Sequence, residues 1–269
     1  MSDTNDKSVV SVVDGRILNC IPSSGVETDW SSRTALEAGM LAATAPPPSV
    51  DHRADWWPIA DQGQTGSCVG WASADSVIRW QMVKAGQLDR NEMLSVRQLW
   101  VSAKETDEFV SAPSSFIEQA GTSLKSALDI ARKYGVVTDD ILPFDVTIPY
   151  LGQEDTFYAL ASQRKISAYI NLEAKVMTWR RWLSENGPIL TRLDCDDSWF
   201  GCSAANPNLT AYAKPPRPAG HAVALVGYTP DHFIVRNSWG TQNWGDGGFA
   251  YASNAYPLAA FTESYGVRV

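Results

Sequence analysis

Residues 62–68 read Gln-Gly-Gln-Thr-Gly-Ser-Cys, and an apolar segment follows them from Cys68 to Ala85. Apolar residues recur in that segment on more than one helical face, which is typical of a buried helix. Gly86 is suited to end the helix, because glycine readily adopts the left-handed conformation found after helix C-termini. The sequence therefore predicts a glycine-containing loop that leads into a buried helix, with Cys68 at the start of that helix.

The position of Cys68 indicates a reactive thiol. A helix N-terminus favours negative charge, so it favours the thiolate over the thiol. Its unpaired backbone N–H groups can donate to an anion, and Gly63 and Gly66 allow the loop backbone to approach a ligand closely. These features suit a nucleophile that also stabilises an oxyanion. The alternative for a single cysteine is a small buried apolar residue.

A second pair of polar residues lies near the other end of the chain. His221 and Asn237 are 16 residues apart, and their midpoint, residue 229, falls in the turn Thr229-Pro230-Asp231. If the flanking apolar runs pair as a hairpin, the two side chains lie roughly opposite each other. The amide can then accept the imidazole N–H and fix its tautomer, which leaves the other ring nitrogen free to meet a thiolate. Taken alone, an exposed histidine and a turn asparagine would be the simpler interpretation.

Composition excludes several classes of protein. The 269 residues are 44% hydrophobic and 19% charged, which excludes a mostly disordered chain. The net charge of −8, without a basic block, predicts no nucleic-acid or membrane partner. No apolar run approaches the roughly 18 residues of a membrane helix. The first ten residues do not resemble a secretory signal, so we expect a cytoplasmic protein, with export by a non-classical route left open.

The order of helical and strand patterns predicts an α+β protein with two lobes. We expect residues 1–49 to form an N-terminal extension, 50–148 a helical lobe and 149–269 a β-rich lobe. Capping boxes predict helices that start at Thr34, with Glu37, and at Ser95, with Gln98. The predicted strands of the β-rich lobe cover residues 189–193, 222–228, 233–236 and 249–252.

Three blocks of the chain resemble papain-like cysteine peptidases. Residues 62–68 resemble the nucleophile loop of that family, 220–228 its histidine strand, and 236–249 its asparagine block. The blocks occur in the family order, and His221 follows Cys68 by 153 residues, close to the roughly 130–150 of papain and the cathepsins. The resemblance, which covers residues 50–269, implies a papain-like fold: a helical lobe, a β-barrel-like lobe, and an active-site cleft between them.

The resemblance also implies a chemistry, namely hydrolysis of a peptide or protein substrate through a thioacyl-enzyme without a cofactor or metal. By this resemblance Cys68 is the nucleophile and His221 the general base and acid. Asn237 orients His221, and Gln62 donates its side-chain amide to the oxyanion beside the N–H of Cys68. Trp239 shields the histidine–asparagine pair from water.

The resemblance indicates the substrate contacts less directly. Residues 118–122, Glu-Gln-Ala-Gly-Thr, replace the family stretch that pairs with the peptide backbone, and Gly121 is our candidate for that contact. Ala219, Ala222 and Arg192 are expected to line the specificity pocket. A buried Arg192 would favour an acidic substrate side chain, whereas in the alternative its side chain points to solvent.

The chain also departs from the secreted members of the family. Val69 replaces an aromatic residue, and Thr65 replaces a cysteine that forms a disulfide there, which favours a reducing compartment. We expect Cys195 and Cys202 to be free thiols. The N-terminal extension is either a packed arm, or a pro-segment or regulatory arm that inhibits the enzyme. Two other functions stay open, an acyl-transfer enzyme such as a ligase, cyclase or maturation peptidase, and a non-catalytic peptide-binding module.

Overall fold

The computed structural model describes residues 11–13, 15–42, 44–106, 121–145 and 150–269. The expectations for residues 1–10, for residues 118–120 and for the lobe boundary at residues 148 and 149 lie outside this part of the chain. Among the described residues, no helix is both long and apolar enough to cross a membrane.

Short helices and strands alternate along the chain. The described helices are α1 (Ser32–Glu37), α2 (Cys68–Gly70), a π-helical stretch (Trp71–Ile78), α3 (Arg79–Lys84), α4 (Val96–Thr106), α5 (Leu124–Lys133), α6 (Glu154–Ala161), α7 (Val176–Glu185), α8 (Asp197–Phe200) and α9 (Ala255–Ala260). The described strands are β1 (Ser11–Val13), β2 (Arg16–Leu18), β3 (Val50–Asp51), β4 (Ala168–Asn171), β5 (Ile189–Asp194), β6 (Asn208–Leu209), β7 (Gly220–Tyr228), β8 (His232–Arg236), β9 (Phe249–Ser253) and β10 (Phe261–Arg268).

The helical lobe is built around residues 68–84, in which α2, the π-helical stretch and α3 follow one another without a break. We call this element the Cys68 helix. Residues 68–82 are buried throughout and Gly86 has a φ of 70°, so the predicted buried helix and its glycine stop are confirmed. The π-helical stretch, with its wider hydrogen-bonding turn, was not indicated by the sequence. Gly70 allows α4 to pack closely, since a Cβ there would lie 2.8 Å from Val96 O.

The β-rich lobe contains one sheet with the strand order β4-β10-β5-β7-β8-β9-β6, and β3 pairs with β7 off this path. The four predicted strands are confirmed as β5, β7, β8 and β9. Strand β7 is buried along its whole length. Alternate residues of β7 face two cores, Ala222 and Ala224 toward the helical lobe, and Val223 and Leu225 toward the core of the β-rich lobe.

Two local predictions need correction. Helix α1 is capped by Ser31, whose hydroxyl accepts from Thr34 N at 3.3 Å, so the expected start at Thr34 was wrong. An extended serine three residues earlier already satisfies the first free N–H groups. Ser95 does accept from Gln98 N at 3.0 Å, but the Gln98 side chain binds the backbone around Val137 instead of returning to Ser95.

The sequence predicts that the helical lobe starts at residue 50. Val50 and Asp51, which the sequence places there, form β3 and pair antiparallel with Tyr228 and Gly227 of β7. The edge of β7 offers backbone partners to the chain as it leaves the N-terminal extension. These two residues therefore belong to the sheet of the β-rich lobe.

Candidate active site

His221 and Asn237 lie opposite each other at the ends of β7 and β8, as the turn at residue 229 predicts. His221 Nε2 and Asn237 Oδ1 are 2.8 Å apart, and the histidine is fully buried. Asn237 Oδ1 also accepts from Ser238 N at 2.8 Å, which makes it an acceptor and identifies Nε2 as the protonated nitrogen. Within the described part of the chain, His221 Nδ1 has no hydrogen-bond partner. That nitrogen is available to take a proton.

Aromatic rings enclose the histidine. The ring centroids of His221 and Trp239 are 4.9 Å apart, and those of His221 and Trp199 are 5.7 Å apart. Trp239 therefore lies where the resemblance places it, over the histidine–asparagine pair. Trp199, in α8, was missed by sequence reasoning, because nothing in its local pattern links it to β7.

Cys68 is the first residue of α2 and is fully buried. Its sulfur takes part in hydrogen bonds with the backbone of Ala222, Val69 and Asn19. Ala222 directly follows His221 on β7, so the bond to Ala222 brings the thiol to the histidine strand. The structure thus places the Cys68 thiol against the residue that follows His221, and His221 itself bonds to Asn237.

The protonation states of the thiol and the imidazole follow from burial. Burial raises the pKa of Cys68 to about 11, although the three backbone hydrogen bonds oppose this shift. Burial lowers the pKa of His221 to about 4; the bond to Asn237 opposes the shift, and nearby Arg16 adds to it. The thiol keeps its proton below its raised pKa and the imidazole stays unprotonated above its lowered pKa. At neutral pH the pair is therefore uncharged in this structure, in which the thiol and the imidazole are both buried.

Gln62 is 1% exposed and is held by the segment that carries Asn237. Its Oε1 accepts from Ser238 Oγ at 2.9 Å, and its backbone N donates to Ser238 O at 2.8 Å. Nε2 donates one hydrogen to Thr65 O at 2.9 Å, which leaves the second hydrogen of the amide for another acceptor. Ser238 was not identified from the sequence, although it directly follows Asn237.

The cleft is occupied by residues 16–21 of the chain itself, which we call the covering segment. Cys20 N donates to Gly220 O at 2.9 Å, and Ile21 N donates to Thr122 O at 3.2 Å. Gly121 lies against Asn19 so closely that a Cβ at this position would be 1.8 Å from Asn19 O. Gly121 and Thr122, the described part of the stretch expected to contact a peptide backbone, therefore contact the backbone of the N-terminal extension.

Arg16 anchors the other end of the covering segment. Its guanidinium binds the carboxylate of Asp61, donates to Gly63 O at 3.0 Å and lies 5.6 Å from the ring centroid of Trp239. Burial alone would raise the pKa of Asp61, but Arg16 and the Gly63 N–H hold it below its usual value. The contact is thus an ion pair at neutral pH, beside the residues that enclose His221.

The residues expected to line the specificity pocket lie near the covering segment, and Arg192 bonds to it directly. Arg192 is 3% exposed, so the alternative that it points to solvent is wrong. It binds Asp194 Oδ1 at 2.9 Å and donates to Cys20 O at 2.9 Å. Because Asp194 balances its charge, the argument for an acidic substrate side chain is removed. Ala222 faces Arg192 across the strand pair, and Ala219 O accepts from Cys195 N at 2.9 Å.

The remaining cysteines bear on the expectation of free thiols at Cys195 and Cys202 and on the grouping of metal-ligating side chains. All four cysteines are buried free thiols. In the part of the chain that the structure describes, no group of three or more His, Cys, Asp or Glu side chains could hold a metal ion.

Comparison with known proteins decides the family. The model of a family described as papain family cysteine protease matches residues 46–261, which is most of the chain. The chain belongs to this family. The papain-family assignment accounts for all three sequence blocks and for the hairpin that joins His221 to Asn237.

Two papain-family relatives show how far the likeness extends. The chain is 26% identical to cathepsin K of Gallus gallus over 82% of its own length and 59% of the relative. It is 24% identical to cathepsin J of Mus musculus over 85% of its length and 65% of the relative. The chain thus spans about three fifths of the length of these curated relatives.

Solved structures establish the papain-like fold. Xylellain, a cysteine protease from Xylella fastidiosa, superposes with a TM-score of 0.75 at 20% identity, over 97% of this chain and 99% of that one. Digestive procathepsin L 3 from the larval midgut of Tenebrio molitor has a TM-score of 0.68 at 17% identity, over 94% of this chain and 77% of that one. The expected α+β, two-lobed architecture is confirmed.

Proposed function

We propose that this protein is a cysteine peptidase that hydrolyses peptide bonds through a thioacyl-enzyme. The observation that carries the proposal is the buried bond of 2.8 Å between His221 Nε2 and Asn237 Oδ1. Among the described residues this bond leaves Nδ1 without a partner, on the strand whose Ala222 backbone interacts with the Cys68 sulfur. A fixed tautomer with a free second nitrogen is what a general base needs.

The proposed reaction has two halves. His221 Nδ1 takes the proton of Cys68, and the thiolate attacks the substrate carbonyl carbon. The Gln62 amide and the Cys68 N–H stabilise the oxyanion. The intermediate collapses as His221 gives its proton to the leaving amine, which leaves a thioester. Water, deprotonated by His221, attacks the thioester and releases the acid, and the proton returns to Cys68.

The test is covalent labelling combined with peptide cleavage. A peptide-linked chloromethyl ketone should add once to the chain that carries Arg16→Ala, which weakens the hold of the covering segment, and mass mapping should place the adduct on Cys68 and not on the other three cysteines. A mixture of synthetic peptides should give fragments whose summed mass exceeds the parent peptide by one water. Fragments joined to an added amine would instead indicate acyl transfer. Labelling without cleavage would indicate a binding module, and no labelling at Cys68 would overturn the proposal.

We further propose that the N-terminal extension inhibits the enzyme by filling the cleft. The covering segment uses the backbone of Gly220 and Thr122, on the two sides of the cleft, and it buries Cys68. A substrate needs the same space, so the segment must leave before a peptide can bind. The similarity in fold to a procathepsin also supports this proposal.

Replacing Arg16 with Ala should raise the peptidase activity of the full-length chain about fivefold to tenfold. The change removes one partly exposed ion pair and its hydrogen bonds, worth about 1 kcal/mol, and a tenfold change corresponds to about 1.4 kcal/mol. The measurement is the initial rate on a fluorogenic peptide at low substrate concentration. Arg33→Ala is the matched control, because Arg33 lies in the same extension but pairs with Glu37 on an exposed helix. Equal rates in the two variants would contradict self-inhibition by this segment.

A further inference from the structure

A cluster of buried charges lies outside the residues assigned to the chemistry. Asp75, Arg79 and Arg236 are 2%, 3% and 1% exposed. Asp75 belongs to the π-helical stretch of the Cys68 helix, and Arg236 is the last residue of β8, directly before Asn237. The cluster therefore links the element that carries the thiol to the strand that leads into the histidine partner.

Every nitrogen of the Arg236 guanidinium donates a hydrogen bond to a residue of the helical lobe. Nη2 donates to Asp75 Oδ2 and to Pro58 O, both at 2.8 Å. Nη1 donates to Trp57 O at 3.0 Å, and Nε donates to Ser76 Oγ at 3.2 Å. The plane of the guanidinium also packs on Trp57, with 4.2 Å between the guanidinium carbon and the ring centroid. This set of contacts defines both the position and the orientation of the side chain.

Asp75, which accepts from Arg236, is also held by hydrogen bonds. Asp75 Oδ1 accepts from Arg79 Nη1 at 2.9 Å, and Trp57 Nε1 donates to Asp75 O at 2.8 Å. Burial lowers the pKa of Arg236 from its usual value, and Asp75 is the group that opposes the shift. A buried ion pair contributes little net stability compared with apolar packing, so stability alone is a weak reason for this arrangement.

The geometry connects the ion pair to the reacting atoms. Asp75 lies seven residues after Cys68 in one continuous helix, and Arg236 is covalently next to Asn237, which holds His221 at 2.8 Å. A shift of Arg236 relative to Asp75 therefore moves the imidazole relative to the thiol. Misplacement of reacting groups by about 1 Å can lower a rate about 10²-fold.

We propose that Arg236, held by Asp75, is a positioning residue that sets the separation between the Cys68 thiol and the His221 imidazole. This inference rests on the proposed peptidase function. Arg236 and Asp75 act on the reaction through Asn237 and His221, without contact to the substrate.

The test is Arg236→Lys in the full-length chain, which keeps the charge but loses the planar fork of donors. We expect kcat to fall about tenfold to a hundredfold with KM within about twofold of the parent. Poorer contact with the imidazolium stabilises the thiolate less, so the acid limb of the pH profile of kcat/KM should move to higher pH. The rate at which iodoacetamide alkylates Cys68 should show the same shift without any substrate.

The matched control is Arg53→Lys, because Arg53 also pairs with an aspartate, Asp51, and packs on aromatic rings, but is partly exposed and pairs with neither the Cys68 helix nor the segment that carries Asn237. This control should leave kcat and the pH profile unchanged, and the parent and all variants of this test carry Arg16→Ala so that release of the covering segment does not limit the rates. An unchanged profile and kcat in Arg236→Lys, or a lower melting temperature alone, would overturn the proposal.

The test also covers a variant that does not fold and a parent protein that cleaves no peptide. If Arg236→Lys does not fold, Ser76→Ala replaces it as the test, because this change removes only the acceptor of Arg236 Nε. We expect kcat to fall about twofold to fivefold, with the acid limb of the pH profile again at higher pH. No change in Ser76→Ala would then overturn the proposal. If the parent protein cleaves no peptide, the peptidase function fails, and the alkylation profile still tests the positioning role.

Discussion

Replacing Cys68 with Ala should lower the rate of peptide hydrolysis by at least about 10³-fold. Without the sulfur no thioester can form, and the remaining groups offer only binding and oxyanion contacts. The measurement is kcat/KM on a fluorogenic peptide, with both proteins carrying Arg16→Ala so that the covering segment does not limit the signal. Cys68 is buried and Ala fills most of its space, so the fold should be retained, as thermal unfolding will show.

Cys202→Ala is the matched control for the loss of a thiol. Cys202 is also a buried free thiol, but it lies in the core of the β-rich lobe, where its thiol interacts with the backbone of Gly245. Its replacement should leave kcat within about twofold of the parent. If Cys68→Ala kept full turnover, the assignment of the nucleophile and the peptidase mechanism would both fail.

Replacing Gln62 with Ala should lower kcat/KM about 10²-fold to 10³-fold, mainly through kcat. Loss of one oxyanion donor typically has an effect of this size. The structure places the amide well for this role, because Ser238 Oγ holds its oxygen and one Nε2 hydrogen is uncommitted after the bond to Thr65 O. The substrate carbonyl carries full negative charge only in the intermediate, so KM should change little.

Gln242→Ala tests whether any glutamine near the site has this effect. Gln242 lies five residues after Asn237, is exposed, and bonds to the neighbouring Thr241. We expect no change in rate for this variant. A Gln62→Ala protein with wild-type kcat would remove Gln62 from the oxyanion site and leave the backbone N–H of Cys68 as the donor.

The predictable parts of this fold are those that depend on local signals. The buried helix at Cys68 follows from apolar residues on several faces, and its end follows from Gly86. The approach of His221 to Asn237 follows from a turn halfway between them in sequence. Thr34 was wrong as a helix start because Ser31, three residues earlier, is also a good N-cap residue and accepts from Thr34 N, and local propensity does not separate the two.

The unpredicted parts depend on contacts between distant segments. Arg192 is buried because Asp194 and the covering segment supply its partners. Trp199 reaches His221 only after the sheet has formed. The Arg236 side chain meets Asp75 across 161 residues of sequence. No periodicity or spacing carries such information, so only the sequence blocks of the family could point to the site before the structure was known.

The covering segment has a consequence for how the activity responds to conditions. Because residues 16–21 are tethered to the cleft they fill, their effective concentration is fixed by the chain and not by the amount of protein. Dilution therefore cannot release the cleft, whereas a separate inhibitor would dissociate. Relief depends on competition by substrate at high concentration or on cutting the tether, which turns a reversible equilibrium into a single irreversible event for each molecule.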